Sequence, residues 1–542
     1  MVYNVPRVNV SHTYGYVPSV PADDQLFGYV VEGTKGEPNE AVLVRSPEQL
    51  YQMFKVKLNA YWGIGGQALY VSRAAADADN GGIAPTKASQ ILLDTSGTQI
   101  GVLKLVAKQK GSYEINITVQ PNSTSGNNII VEEDGYASEY YIGITGIESI
   151  VSRINRESDI VDAYFYLCPI ASPTCTNGSW AQTYDSETHV VKEGSGLLTS
   201  LNSVVLGELP LDGDEALYVA GSDGTVAGTP AYPGQLENQA SDAVSAATAH
   251  AKALASLRLP KLAGVFTTQV STFSASTVNS KYVEHIDELN MAEAHGWRFA
   301  ILGAPEGASK DEIISAASGF NRENIVYVGQ GAVDMNGLEY TPIEATQIVA
   351  GKIGATKYYE AIWGGQTSKI LGIVSNGIVD KYITDIIQLP GEGAGGYASR
   401  EDIIQYNEAG VITFVEEIDG IRIREGLTTA QNPAETAEDE LAVMRIIRHV
   451  KYLVYDRCYE MLGQNITSTF KTDLEENIKS GLEIMKSTDR SLIDITETGL
   501  SAYTVSVLLV PRSVQKQGKI TVNISVTPVH AAREIDATVV VM

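Results

Sequence analysis

Cysteine, phenylalanine and basic charge are all scarce in this 542-residue chain, and each shortage closes off a class of function. Only Cys168, Cys175 and Cys458 are present. Three thiols make no disulfide framework and suit a reducing compartment. Cys168 and Cys175 lack the second pair that a zinc site requires, and the seven histidines are scattered with no H-x-x-x-H spacing. Lys and Arg number 39 against 65 Asp and Glu, a net charge of −26. Such a chain is soluble and self-repelling, and it lacks the clustered cations of a nucleic-acid groove. No apolar run approaches the ~20 residues that span a bilayer. The opening "MVYNVPRVNVSHTYGY" has neither the charged start nor the apolar block of an export signal. The expectations are synthesis in a cytoplasm, no membrane insertion, no metal, no cofactor and no direct contact with nucleic acid. Phe falls to 9 while Tyr rises to 28, a balance that suits surfaces half apolar and half wet, as interfaces are.

The length is enough for roughly three or four domains. Residues 1–20 carry Pro6 and Pro18 among short alternating apolar groups, which reads as an extended arm, since proline cannot sit in a central strand. From 21 to 89 the pattern is strand, helix, strand: "FGYVVEG", "SPEQLYQMF", "QALYVSRAA". Ser46, Pro47 and Gln49 have the spacing of a helix cap with a capping box. Residues 90–234 are rich in Val, Ile, Thr and Tyr with turn clusters such as "PNSTSGNN", which predicts a β-sandwich inserted between flanking α/β parts, interrupted by the helix "GIESIVSRINRES". From 235 to 420 short apolar strands ("LAGVFTTQ", "RFAILGAP", "NIVYVGQGA") alternate with helices, one of them capped by Ser309. That alternation implies a largely parallel sheet covered on both faces.

Residues 421–527 open with the second strand of a hairpin signalled by Asp419-Gly420. A helix over about 436–462 follows, with the stripe Val443, Ile446, Ile447, Val450, Leu453 and Val454, then a helix over about 471–486 and two long strands, "SAYTVSVLLVP" and "KITVNISVTP". The chain finishes on "EIDATVVVM", a period-2 segment with nothing after it to complete a hairpin. An unpaired strand of this kind invites another chain.

Chemistry-bearing motifs are weak. "GEGAGG" at 391–396 matches G-x-G-x-x-G, but Pro390 stands before it and the helix begins only after Ser399, so a surface loop is the better reading and a nucleotide-binding α/β enzyme the alternative. "AGKIGATK" at 350–357 lacks P-loop spacing and reads as the end of a helix in which Gly351 and Gly354 allow close packing. The acidic runs 131–134 and 211–215 lack the alternating ligands of a Ca²⁺ loop. There is no G-x-S-x-G elbow, and no active site emerges.

Taken in order, several blocks resemble contractile-tail sheath proteins. The first runs from "GYVVEGTKGEPNEAVLVRSPEQLYQMFKV" to "GGQALYVSRAAA", with Gly33, Gly36, Asn39, Val42, Phe54, Gly65, Gly66, Tyr70, Val71 and Arg73 at matching places; Glu37-Pro38 and Ala41 depart from the pattern. "VAGSDGTVAG", "GWRFAILGAPEG", "YTPIEATQIVAGKIGAT" and "EEIDGIRIREGLTT" follow, and "VMRIIRHVKYLVYDRCYEMLGQNIT" is similar to the C-terminal helix pair of sheaths from Gram-positive phages. No single block is specific, but six in order over nearly the whole chain are.

The resemblance implies an α/β fold: a central subtilisin-like domain without catalytic function, the inserted β-sandwich, an α+β C-terminal domain, and extended arms at both ends. It implies a non-enzymatic protein of the virion tail, assembled in the host cytoplasm, that polymerises with itself around a tail tube and meets baseplate and tail terminator proteins. It further implies strand exchange between subunits through the arms 1–20 and 528–542, carried by Tyr3, Val5, Val8, Val10, Ile535, Ala537, Val539 and Val541, with a bend near Pro528 and another at Gly518. Arg445, Arg448, Lys451 and Arg457 are the expected tube-facing residues of the long helix.

Overall fold

A computed structural model of the chain describes residues 25–33, 35–75, 87, 89–93, 100–110, 115–121, 127–133, 137–144, 147–169, 204–206, 218–219, 225–226, 229–230, 240–258, 261–268, 275–290, 296–362, 382–417, 420–431, 439–464, 469–494, 499, 501–508 and 520–529.

The chain enters through β1 (Phe27–Val31), β2 (Val42–Val44), α1 (Pro47–Phe54), α2 (Asn59–Gly63) and β3 (Leu69–Arg73). α1 starts where the sequence places it. Ser46 is extended and its side chain accepts from Gln49 N, with Pro47 at the first turn. The reciprocal half of the box differs, because Gln49 Oε1 accepts from Arg45 N at 2.8 Å and not from the cap itself. Lys55 ends the helix in the left-handed region.

A β-rich region follows: β4 (Ser89–Leu93), β5 (Ile100–Ala107), β6 (Ile115–Pro121), β7 (Asn127–Glu133), β8 (Ala137–Ile144), α3 (Ile147–Glu157), β9 (Val161–Pro169), β10 (Val204–Leu206), β11 (Tyr218–Val219), and the short ladder of β12 (Thr225–Val226) with β13 (Thr229–Pro230). Its two four-stranded antiparallel sheets run β10-β6-β7-β8 and β11-β4-β5-β9. Leu103 and Leu105 from one sheet meet Ile117, Ile129 and Val131 from the other, with Ile150 and Ile154 of α3 in the same core.

The chain then alternates: α4 (Ala240–Ser256), β14 (Gly264–Phe266), α5 (Ala275–Asn290), β15 (Phe299–Gly303), α6 (Lys310–Phe320), β16 (Ile325–Val328), β17 (Ala332–Asp334), β18 (Glu339–Tyr340), α7 (Thr346–Ala355), β19 (Ile383–Ile386), α8 (Arg400–Glu408) and β20 (Val411–Ile412). A seven-stranded sheet has the order β2-β3-β1-β14-β15-β16-β20, parallel except for β2 against β3. Its strands are buried on both faces, as a doubly covered parallel sheet requires. Phe27, Tyr29 and Val31 of β1 enter the core under α1, α2 and α7, while Val30 enters the opposite core under α4, α5 and α6. The close approach of α7 to α2 depends on Gly351, where a Cβ would stand 2.8 Å from the Tyr61 carbonyl.

The C-terminal part holds β21 (Phe414–Glu417), β22 (Gly420–Ile423), α9 (Leu441–Glu460), α10 (Phe470–Ser487), β23 (Tyr503–Leu508) and β24 (Thr521–Val526). The strands flanking Asp419-Gly420 pair as the sequence suggests, with Glu417 opposite Gly420. α9 departs from its expected one-sided stripe. Val443, Met444 and Ile447 join the core of the central sheet, whereas Ile446, Val450, Leu453 and Val454 join a separate core with α10 and β23. Every residue from Leu441 to Val454 is buried, so the helix is a shared strut and not a surface helix.

The β-rich region is tied to the central sheet by a buried carboxylate. Lys35 Nζ donates to both oxygens of Glu133, at 2.7 and 2.6 Å, and Lys55 Nζ lies 2.8 Å from the same group. The acidic run at 131–134, which lacks the ligand pattern of a Ca²⁺ loop, is engaged by lysines at Glu133; residues 134 and 211–215 lie outside the described residues. Beside the pair, Arg73 Nη1 donates to the carbonyls of Gly36 (2.8 Å) and Lys110 (3.2 Å). Burial holds the Lys35 ammonium below its ordinary range, with Glu133 opposing that shift. Removing the carboxylate takes away the buried anion that both lysines contact. Glu133→Ala should therefore lower the unfolding free energy by about 3–5 kcal/mol, read from urea midpoints. A loss under about 1 kcal/mol, the range of surface pairs, would mean that this contact does not hold the join.

Candidate functional site

The residues expected to exchange strands, Tyr3, Val5, Val8, Val10, Ile535, Ala537, Val539 and Val541, lie outside the described residues, as does Gly518. The segment at Pro528, the expected start of the C-terminal arm, is held by its neighbours. Leu492 bridges Pro528, Ile493 N donates to Thr527 O at 3.0 Å, and Val529 N donates to Ser491 O at 3.0 Å. Leu492 is buried. Pro528, near which the bend is expected, is thus fastened within its own chain.

The C-terminal sheet that precedes the arm has two strands, β23 and β24, in antiparallel register from Tyr503 opposite Val526 to Leu508 opposite Thr521. Alternation puts Tyr503, Val505, Val507, Val522, Ile524 and Val526 on one face, packed in the core with α10. The two edges differ. Val507 N points away from β24 and donates to Glu475 Oε1 of α10 at 2.8 Å, so that edge is capped at Val507. Glu475 is held there between Lys471 and Lys479, each 3.8 Å away. Val522 stands opposite Val507 in a pair that exchanges no hydrogen bonds, so the N–H and C=O groups of Val522 and Ile524 also point outward. They have no partner among the described residues. Glu475 was not legible as a functional residue; its lysines at i−4 and i+4 look like ordinary helix-surface ion pairing.

Three of the four expected tube-facing residues are inside the subunit. Arg445 is 2% exposed. Its Nη1 donates to Thr356 Oγ1 and Glu360 O, both at 3.1 Å, and its Nη2 to Thr356 O (2.8 Å) and Ile353 O (3.4 Å). These acceptors lie at the C-terminal end of α7, where carbonyls lose their intrahelical partners. Arg448 Nη1 donates to Ala263 O at 3.0 Å, and Lys451 is buried. Their burial has a plain cause: α9 is covered on both sides, and the Arg445 and Arg448 side chains reach main-chain carbonyls instead of solvent. Arg457 alone reaches the surface, 3.6 Å from Glu460.

The glycine loop is closed on itself. Gly391 N donates to Gly396 O, Gly393 N to Tyr397 O, Gly396 N to Gly393 O, and Glu392 N to Asp402 Oδ2. Asp402 also takes Ser399 N at the start of α8 and the Lys310 ammonium at 2.5 Å. A phosphate cradle needs such N–H groups free at a helix N-terminus after a sheet strand. Here they are occupied, and the preceding β19 belongs to a side sheet with β17 and β18. Among the described residues, no cluster of His, Cys, Asp or Glu could hold a metal ion, and no helix is long and apolar enough to cross a membrane.

No protein-family model and no curated protein matches the chain. Solved structures do. The sheath tail protein of Desulfitobacterium hafniense aligns over 91% of this chain and 93% of its own, with a TM-score of 0.56 and 13% identity. The sheath tail protein of Listeria innocua aligns over 95% and 94%, with a TM-score of 0.58 and 11% identity. The chain has the sheath-tail-protein fold. The likeness runs the length of both partners, so the mixed α/β architecture with several sheets is shared as a whole.

Within that fold, Asp402 joins the glycine loop to α8. The Lys310 ammonium, then the Ser399 N–H, hold its carboxyl well below the usual carboxylate range. A depressed carboxyl stabilises the fold in full above its unfolded pKa of ~3.9 and loses that contribution as pH falls toward the folded value. Urea midpoints measured from about pH 5 down to about pH 2 should therefore fall less steeply for Asp402→Asn than for the unaltered chain. Parallel curves would contradict the assignment.

Proposed function

We propose that this chain is the repeating subunit of a contractile tail sheath. It polymerises as a helix around a tail tube, is held in a metastable extended state, and contracts to drive the tube through a cell envelope. The particle is a phage or phage-derived tail assembled in the host cytoplasm, with baseplate and terminator proteins at the two ends of the polymer. The observation that carries the reading is the end-to-end likeness to two sheath tail proteins. On this reading the subunit is mechanical and not an enzyme. Its domains are taken as the sequence suggests: arms at 1–20 and 528–542, a subtilisin-like but non-catalytic α/β centre, the inserted sandwich, and the C-terminal α+β part.

The physics of such a polymer needs two things. A heterologous contact whose rotation does not close builds a helix from one subunit type. Contraction then requires two packings of the same subunit with links that survive the change. Strand addition supplies such a link, since main-chain hydrogen bonds give affinity and alternating side chains give register. The sheet β23–β24 offers an edge for it at Val522 and Ile524, while Glu475 caps the other edge at Val507. An arm from a neighbouring copy, with Ile535, Ala537, Val539 and Val541 on one face, is the proposed occupant.

The nucleotide-enzyme alternative gains nothing from the occupied N–H groups of the loop at 391–396. Of the tube-facing set only Arg457 remains available, and tube contact is not assigned to the rest of α9.

The test is removal of residues 530–542, which leaves the anchored Thr527–Val529 segment in place. In sedimentation velocity, the intact chain should form large polymers, and the shortened chain should sediment as a 58 kDa-class subunit with unchanged circular dichroism. Equal assembly by the two would sink the arm-exchange mechanism.

A further inference from the structure

α5 packs beside α4, with Val278, Tyr282 and Ile286 in the core that also takes Leu254 and Leu257. Its last turns meet the end of α4 and the approach to β15 at one corner. There Gly296 N donates to Leu289 O at 3.1 Å, and a Cβ at Gly296 would stand 2.8 Å from the Leu289 side chain. Arg298 crosses the corner, donating to the carbonyls of Gly296 (3.1 Å), Leu257 (2.8 Å) and Arg258 (3.4 Å). Arg258 in turn is paired with Glu288 of α5.

His285 lies one turn before Leu289 on the same helix face and is 5% exposed. Its Nε2 is buried without a hydrogen-bond partner among the described residues. A neutral imidazole bears this at the cost of one unmade bond. An imidazolium has two N–H donors and a full charge, and burying it unpaired costs far more. The charged groups around the corner do not relieve it. Arg258 comes from the α4 end and Arg298 from the approach to β15, and a guanidinium only donates. On α5 itself, Lys281 and Glu284 hold each other at 2.9 Å, and Glu288 is engaged by Arg258. Burial first, then the charges of Arg298 and Arg258, hold the imidazole down to about 3. His250 of α4 is the contrasting case. Its Nε2 meets Glu32 Oε1 at 2.7 Å and its Nδ1 meets Tyr282 Oη at 3.1 Å, so both nitrogens have partners.

We infer that His285 is an acid-sensitive latch on α5. Neutral, it closes the corner between α4, α5 and β15. Protonated, it has no acceptor for Nε2–H inside and reaches one only in water, so the last turns of α5 must open to let it out. The direction with pH follows from linkage. The unfolded or opened chain takes the proton below the ordinary histidine value of ~6.5, whereas the closed corner refuses it. The latch therefore contributes in full above that value and weakens as pH falls through it. Its window opens well above the carboxylate range in which Asp402 acts.

Hydrogen–deuterium exchange of the full chain from pH 7.5 to pH 5, read by mass spectrometry and corrected for the intrinsic rate, tests this. Peptides from α5 should lose about thirtyfold in protection over that range, the effect of one proton taken up below ~6.5. Peptides from α6 in the same digest serve as the reference and should change little. His285→Gln and His285→Phe should each leave α5 protection flat with pH. Either variant suffices, because the prediction concerns the slope and not the absolute protection. Flat protection of α5 in the unaltered chain would overturn the proposal. So would an acid-induced loss that the variants retain, which would put the trigger on another group such as His250.

Discussion

A main-chain carbonyl at a helix end or a domain join must find a donor, and at four joins of this chain an arginine supplies it. Arg73, Arg298, Arg445 and Arg448 are all buried. Arg73 reaches Gly36 and Lys110, between the central sheet and the β-rich region. Arg298 reaches the end of α4, and Arg445 the end of α7. Arg448 reaches Ala263, just before β14. A planar guanidinium with five donors can hold several carbonyls at once, which a lysine cannot. Burying a charge is costly unless it is hydrogen-bonded, so each arginine is fixed where it stands and fixes the segments that it joins.

That constraint ties several parts of the molecule to one another. The central sheet, α7 and α9 are locked together by Arg445 and Arg448, and α9 carries α10 and the hairpin β23–β24 on its far side. The open edge at Val522 and Ile524 is thereby held rigidly relative to the sheet. The −26 charge sets the background against which the contacts form, because copies of this chain repel unless close pairing or salt offsets it.

Much of the fold was legible because local chemistry and tertiary structure agree. Ser309 caps α6 as the sequence signals, with Glu312 completing a capping box, and the strands after 260 alternate with helices into a doubly covered parallel sheet. α9 differs from its sequence pattern for a definite reason. Apolar and basic residues interleave along it, a pattern that reads as one core face and one wet face. Sequence periodicity does not show that a second core, built by α10 and β23, covers the other side. Glu133 was equally hidden, since its partners Lys35 and Lys55 lie far away in sequence. Glu475 looks like a surface helix residue until Val507 is placed beside it. The arms were legible only as patterns, and they fall outside the described residues.

On the function proposed, copies of this chain build a tubular polymer with nothing but one another as subunits. Electron microscopy of the purified full-length protein is the sharpest test of that. Long hollow cylinders with a regular axial repeat are expected. Isolated subunits at every salt and protein concentration tried, with the chain folded, would contradict it.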